Sequence, residues 1–161
     1  MPKIVILRGR PTSGKSTAWQ NLKKRKELKK WKFVDNAGMK HKLGKERGKI
    51  ALMEALKEEM RNQENLIIEE MSEKSLKRYI RYYIKKYEYK IITFQFTVST
   101  KTAYKRDVQR AKDKLHPKMG KKWIKEMHEW HDKRVDPKGI MVDADKLNRK
   151  QAVDFIIKKI K

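Results

Sequence analysis

The sequence predicts an α/β fold in which a mostly parallel sheet of four or five strands is flanked by helices in three layers. Short apolar runs typical of buried strands lie near residues 4–7, 66–68 and 140–142. Between such runs lie longer segments whose apolar residues recur every three or four positions, which is the helical spacing. This alternation favours strands joined by helical crossovers, and such connections place parallel strands side by side.

Length and composition favour a single intracellular, cytoplasmic domain over residues 1–161. The chain has no cysteine, which excludes disulfides and thiolate metal sites. No apolar run reaches the roughly 18 residues of a membrane span, and the run after Met1 is too short for a secretory leader. We therefore expect no membrane association.

The charge is strongly positive, with 44 Lys and Arg against 20 Asp and Glu and a formal net charge of +24. A surface this basic attracts polyanions and raises their encounter rate. An AT-rich genome also raises the lysine content, so codon usage can account for part of the excess. We expect a nucleic acid as substrate or partner.

A glycine-rich segment at residues 9–16, Gly-Arg-Pro-Thr-Ser-Gly-Lys-Ser, fits a phosphate-binding pattern. It follows the first apolar run and precedes a helical segment, so backbone N–H groups and a helix N-terminus converge on an anion. Lys15 is expected to reach the β- and γ-phosphates of ATP, and the Ser16 hydroxyl to hold Mg²⁺. The alternative is a chance match in a lysine-rich chain. The residues expected to bind the nucleotide are Gly9, Thr12, Ser13, Gly14, Lys15, Ser16 and Thr17.

Two carboxylates end predicted strands. Asp35 follows the second run, at the sheet edge where ligands bind in open α/β folds, and there it can take the proton of an attacking hydroxyl. An Asp that opens a turn before Asn36 is an equally favoured alternative. Glu69 ends the third run and is a weaker candidate to hold the metal or its water, against a solvent-facing pair with Glu70.

Two arginines, Arg106 and Arg110, lie four residues apart in a predicted helix over about 102–112 and therefore point the same way. Such a pair can clamp a polyphosphate and stabilise the charge on a transferred group. Two exposed surface arginines are the alternative.

The acceptor side is predicted from a glycine-containing cationic segment at residues 36–49, which is typical of a mobile basic loop. A helical core face follows, with Ile50, Met53, Leu56 and Met60. The tyrosines of the next helix, from Tyr79 to Tyr87, have the spacing of a core face; stacking on bases is the alternative.

Together these features resemble P-loop kinases of the phage polynucleotide 5′-kinase type. The resemblance implies that Lys15, Asp35, Arg106 and Arg110 are catalytic, with Asp35 as general base and the arginines on a helical lid over about residues 100–120. It also implies a phosphotransferase that uses ATP, or another NTP, and Mg²⁺ to phosphorylate the 5′-hydroxyl of RNA or DNA, as in end repair.

One position departs from this family pattern. Three residues after the Asp, the family has an Arg that holds the acceptor's 3′-phosphate, and this chain has Gly38. Lys40 and Arg47 are weak candidates to replace it. The alternatives in function are a kinase for a small molecule, such as a nucleoside, nucleotide or antibiotic, and a non-catalytic nucleotide-binding regulator of a nucleic-acid partner.

Overall fold

A computed structural model of the chain describes residues 1–69, 71, 73–115 and 117–161, so Glu70 lies outside the described residues. Within these ranges five strands form one sheet in the order β2-β3-β1-β4-β5, with every pairing parallel. The strands are β1 (Lys3–Gly9), β2 (Lys32–Asp35), β3 (Leu66–Glu69), β4 (Lys90–Thr97) and β5 (Ile140–Asp143). The predicted parallel sheet is confirmed.

Helices connect successive strands and cover the sheet. They are α1 (Lys15–Lys23), α2 (Asn36–Leu43), α3 (Lys45–Arg61), α4 (Glu73–Lys86), α5 (Thr100–Lys112), α6 (Lys121–Asp132) and α7 (Arg149–Ile160), with a short 3-10 helix at Lys26–Leu28. None of the helices in the described ranges is both long and apolar enough to cross a membrane.

The core has two parts because the side chains of a strand alternate between the faces of the sheet. Val5 and Leu7 of β1 pack with α1 and α7 on one face, whereas Ile4 and Ile6 pack with α3 and α4 on the other. β1 and β3 are therefore buried on both faces, as their continuous apolar runs predict. Val98, Ala103 and Ile124 form a smaller core that joins α5 to α6 beyond the end of β4.

The prediction of a mobile loop over residues 36–49 is wrong. These residues form α2 and the first turn of α3, and glycine serves close packing there. A Cβ at Gly48 would lie 2.6 Å from the Cα of Lys40, so the absence of a side chain lets α3 cross α2. The chain reverses between the two helices at Gly44, whose φ of 80° is in the left-handed region.

The predicted core faces of α3 and α4 are partly wrong. Ile50 is 64% exposed, and Leu52 is buried with Met53 instead. At about 100° per residue, Ile50 lies more than a quarter turn from the centre of the buried stripe. In α4 Ile80 is buried and has non-helical backbone angles, while Tyr79 is 40% exposed.

Candidate active site

The phosphate-binding loop between β1 and α1 is packed tightly against β4. The backbone N–H of Arg10 donates a hydrogen bond of 3.1 Å to the carbonyl oxygen of Phe96, and a Cβ at Gly9 would overlap that oxygen. The hydroxyl of Ser13 donates back to the carbonyl oxygen of Arg10 over 2.6 Å. Gly14, with φ of 89°, then leads into α1. The loop is therefore held in shape at a helix N-terminus, where backbone N–H groups favour an anion.

Lys15 is a buried cation at this helix N-terminus, with 8% of the residue exposed. Burial lowers the pKa of its ammonium group to about 8, although the charge of Glu69 acts to raise the pKa and that of Arg110 lowers it further. A phosphate placed here would favour the charged form, because an opposite charge offsets the cost of burial.

The two predicted metal residues are in contact. The hydroxyl of Ser16 donates a hydrogen bond to Oε1 of Glu69, whose side chain is buried. In the described ranges no three His, Cys, Asp or Glu residues group together as a ready metal cage. One hydroxyl and one carboxylate nevertheless suit Mg²⁺, which takes oxygen ligands and completes its shell with water and substrate phosphates.

Asp35 lies opposite Glu69 in the pairing of β2 with β3, at the carboxyl edge of the sheet. It is also the N-cap of α2, and its Oδ1 accepts a 2.7 Å hydrogen bond from the backbone N–H of Gly38. The structure therefore places Asp35 both at the candidate site and at the start of a helix. Lys40 and Arg47 are exposed on α2 and α3.

The two arginines of α5 are half-buried and face the phosphate-binding loop, rather than lying free on the surface. Arg106 donates 2.9 Å and 3.0 Å hydrogen bonds to the carbonyl oxygens of Thr12 and Ala144, so it ties α5 to the loop and to the segment after β5. Arg110 lies near enough to Lys15 for its charge to lower the pKa of that ammonium group.

A cavity of about 960 Å³ opens between the loop, α5 and the start of α7. Its size matches a nucleotide, since ligand pockets measure about 300–1,000 Å³. Five of the residues predicted to bind nucleotide line it, namely Thr12, Ser13, Gly14, Ser16 and Thr17. Leu147 and Arg149 line it as well. The sequence analysis did not assign these two to the site; in the structure a capping box of Asn148 and Gln151 begins α7 just before Arg149.

The sequence matches no family model and no curated protein. Solved structures are similar throughout the chain. A gluconokinase from Sinorhizobium meliloti 1021 has a TM-score of 0.61 and 16% identity over 95% of this chain and 88% of its own. The tunicamycin resistance protein of Deinococcus radiodurans has a TM-score of 0.67 and 14% identity over 99% and 96%.

A chain of the Pnkp1/Rnl/Hen1 RNA repair complex is also similar, with a TM-score of 0.62 and 22% identity over 85% of this chain and 47% of that one. Taken with the phosphate-binding loop and the five-stranded parallel sheet, these similarities decide the fold. The chain has the P-loop kinase fold.

In this P-loop kinase fold, α6 provides residues that the sequence analysis did not assign to the site. Asp132 accepts hydrogen bonds of 2.9 Å and 2.6 Å from the guanidinium group of Arg10, which fixes the end of α6 to the phosphate-binding loop. Burial, followed by the nearby charge of Lys15, lowers the pKa of His131 to about 4. In the sequence His128 and His131 lie three residues apart, a spacing that gives no sign that α6 meets the phosphate-binding loop.

Proposed function

We propose that the protein is a phosphotransferase that moves the γ-phosphoryl group of ATP to a hydroxyl group. The observation that carries this proposal is the arrangement at one sheet edge of three features: buried Lys15, the Ser16–Glu69 pair, and Asp35 on the neighbouring strand. Catalysis of phosphoryl transfer consists mostly of positioning the reactants and stabilising charge. A buried cation, oxygen ligands for a metal and a carboxylate that can take a proton are the groups this requires.

In this proposal Lys15 and Arg110 bind the phosphates and offset the negative charge of the transferring group. Asp35 accepts the proton as the acceptor oxygen bonds to the γ-phosphorus and the bond to the ADP oxygen breaks. Ser16 and Glu69 would hold Mg²⁺, which when bound would supply further neutralisation of the phosphate charge. Arg106 keeps the loop in position, because it hydrogen-bonds the backbone of Thr12.

For the acceptor, a small hydroxyl compound is the better supported candidate. The gluconokinase and the tunicamycin resistance protein, two of the similar structures, are named for small molecules. In addition, the position that the polynucleotide kinases fill with Arg is occupied by Gly38, and a Cβ there would overlap the carboxylate of Asp35. The acceptor-phosphate contact of that family therefore has no equivalent at this position.

A polynucleotide 5′-hydroxyl is the second candidate, and an exposed surface of α3 and α4 favours it. The ammonium of Lys49 lies 4.6 Å from the ring centroid of Tyr79, and that of Lys86 lies 5.6 Å and 5.4 Å from the rings of Tyr82 and Tyr87. Cations interleaved with aromatic rings bind single-stranded nucleic acid through charge and base stacking. The similar chain from an RNA repair complex also supports this candidate.

The deciding experiment is incubation with ATP labelled at the γ-phosphate and a panel of sugars, sugar acids, nucleosides and 5′-hydroxyl oligonucleotides, followed by product mapping. Lys15→Met serves as the inactive control. Transfer to a small compound supports the first candidate, and transfer to oligonucleotides alone supports the second. If labelled product forms equally well with Lys15→Met, the proposed donor site is wrong.

A further inference from the structure

Four buried side-chain atoms have no hydrogen-bond partner among the described residues: two on the face of β4 opposite α7, one on α6 and one in the segment after α6. They are Thr93 Oγ1, Gln95 Oε1, His131 Nδ1 and Asp136 Oδ2. Buried polar groups are nearly always paired, because leaving one unpaired costs about 1–3 kcal/mol. Several such atoms together therefore need an explanation, and a bound ligand is one.

These groups lie close together. Gln95 pairs with Arg8 in the register of β4 with β1, so both side chains lie on the same face, the face opposite Phe94. A Cβ at Gly139 would lie 3.5 Å from the Cβ atoms of both Gln95 and Asp136. The charge of Asp136 in turn acts on Arg8 and raises the pKa of its guanidinium against the larger lowering by burial.

The group extends to the phosphate-binding loop through His131, which directly precedes Asp132, the α6 residue that Arg10 of the loop hydrogen-bonds. Lys15 lies at the position expected for the transferred phosphate. A ligand held by these side chains would therefore have one end next to the reacting group.

The chemistry of the unpaired atoms indicates what such a ligand carries. Gln95 Oε1 and Asp136 Oδ2 only accept hydrogen bonds, while the hydroxyl of Thr93 both donates and accepts. Asp136 already accepts from the backbone N–H of Lys138 through Oδ1, over 3.0 Å, so its carboxylate is oriented before any ligand binds. These hydrogen-bond acceptors need hydrogen-bond donors, and a ligand with several hydroxyl groups supplies them.

We propose that Arg8, Gln95, His131 and Asp136, here called the acceptor cluster, bind a small polyhydroxylated compound such as a sugar, a sugar acid or the ribose of a nucleoside. This inference rests on the proposed phosphotransfer and names the substrate class of the same site. Asp136 and Gln95 hold hydroxyl groups of the ligand, and Arg8 binds an oxygen or a carboxylate. One further hydroxyl lies towards Lys15.

The test uses Gln95→Met, which keeps the side-chain length but removes the amide oxygen, and Asp136→Asn, which can keep the bond to Lys138. Gln20→Met, at an exposed position of α1, is the matched control. The probes are glucose, gluconate, ribose and adenosine, used one at a time. Binding is measured by calorimetry, and KM for each probe that accepts phosphate is measured separately.

We expect at least one probe to bind, with an affinity that falls about tenfold in each cluster variant while ATP affinity and the control variant remain as in wild type. If no probe binds, or if the variants bind the probes as well as wild type, water alone fills the cluster and the inference is overturned. Phosphate transfer that depends on Lys15 but not on the cluster would overturn the inference and leave the proposed function standing. Binding that depends on the cluster, without transfer of phosphate to any acceptor, would support the inference and contradict the proposed function.

Discussion

The backbone N–H of Gly38 donates a 2.7 Å hydrogen bond to Oδ1 of Asp35, and a side chain on Gly38 would overlap that same carboxylate. The proposed base is therefore also a helix cap, and any side chain at Gly38 would have to displace its carboxylate. The polynucleotide kinases that the sequence resembles have an arginine where this chain has Gly38. An arginine side chain at this position would overlap the carboxylate of Asp35 where it now lies, which is a physical reason for its absence.

Replacement of Asp35 separates its two roles. Asn is as good an N-cap as Asp but cannot take a proton, so Asp35→Asn should keep the stability of wild type and lose about 10²–10⁴ in kcat. Asp35→Ala should lose the same activity and about 1 kcal/mol of unfolding free energy. Urea unfolding and initial rates measure both effects. If Asp35→Asn retains wild-type kcat, Asp35 is only a cap.

Substitution of Gly38 should show strong coupling to Asp35. In wild type, Gly38→Ala is expected to destabilise by about 1–3 kcal/mol, because the new methyl group displaces the carboxylate. In an Asp35→Ala background the same change should be neutral or stabilising, since Ala favours a helix over Gly by about 1 kcal/mol. A double-mutant cycle by urea unfolding checks this. Equal costs in the two backgrounds would show that the two residues do not constrain each other.

Nucleotide binding should be linked to protonation of Lys15. Its pKa is about 8 in the folded protein without nucleotide and 10.5 in the unfolded chain. The unfolded state therefore holds more protons between these pH values, and this group makes the free energy of unfolding rise with pH across that window. Phosphates restore the charged form, so ATP should bind with proton uptake at pH about 9.

Calorimetry of ATP binding in two buffers of different ionisation enthalpy measures that uptake. Lys15→Met should bind ATP more weakly and without the uptake, and Gln20→Met should behave as wild type. The same uptake in Lys15→Met would assign the proton to another group.

Replacement of the two arginines of α5 should affect stability and activity differently. Arg106→Ala removes two hydrogen bonds to backbone carbonyls, so it should lower both the unfolding free energy, by about 1–3 kcal/mol, and the rate. Arg110→Ala should leave stability within about 0.5 kcal/mol of wild type and lower kcat by about 10³. Urea unfolding and single-turnover rates distinguish them. A stable, fully active Arg110→Ala protein would remove Arg110 from the site.

The polynucleotide candidate predicts salt-dependent binding. The slope of log K against log salt should be about −0.7 per phosphate contacted on a single strand. Replacement of Lys40, Lys42 and Arg47 together by Ser should flatten this slope if these exposed cations contact the acceptor. Replacement of Lys24, Lys26 and Lys29 by Ser is the control. These lysines lie just after the end of α1 that is far from the phosphate-binding loop, and their replacement removes the same charge. Equal slopes in the two triple variants would show that only net charge matters.

The parts of the site that sequence analysis located are those that local rules control. A glycine loop between a strand and a helix has one compact geometry, so the position of Lys15 and Ser16 at the start of α1 could be predicted from spacing alone. Strand ends could be assigned in the same way, and the structure places Glu69 against Ser16. The glycines of residues 36–49 were misinterpreted because glycine serves mobility in one context and close helix packing in another.

The sequence by itself determined the order of strands and helices and the phosphate-binding loop, because hydrophobic period and glycine spacing act over a few neighbouring residues. Only the tertiary structure brought together Arg8, Gln95 and the pair His131 and Asp136, which come from three separate segments of the chain. No local sequence pattern identifies these residues. Their proximity depends on the register of β1 with β4 and on the packing of α6 against the phosphate-binding loop. The proposed acceptor side is therefore a product of long-range packing, whereas the phosphate-binding loop follows from one short segment.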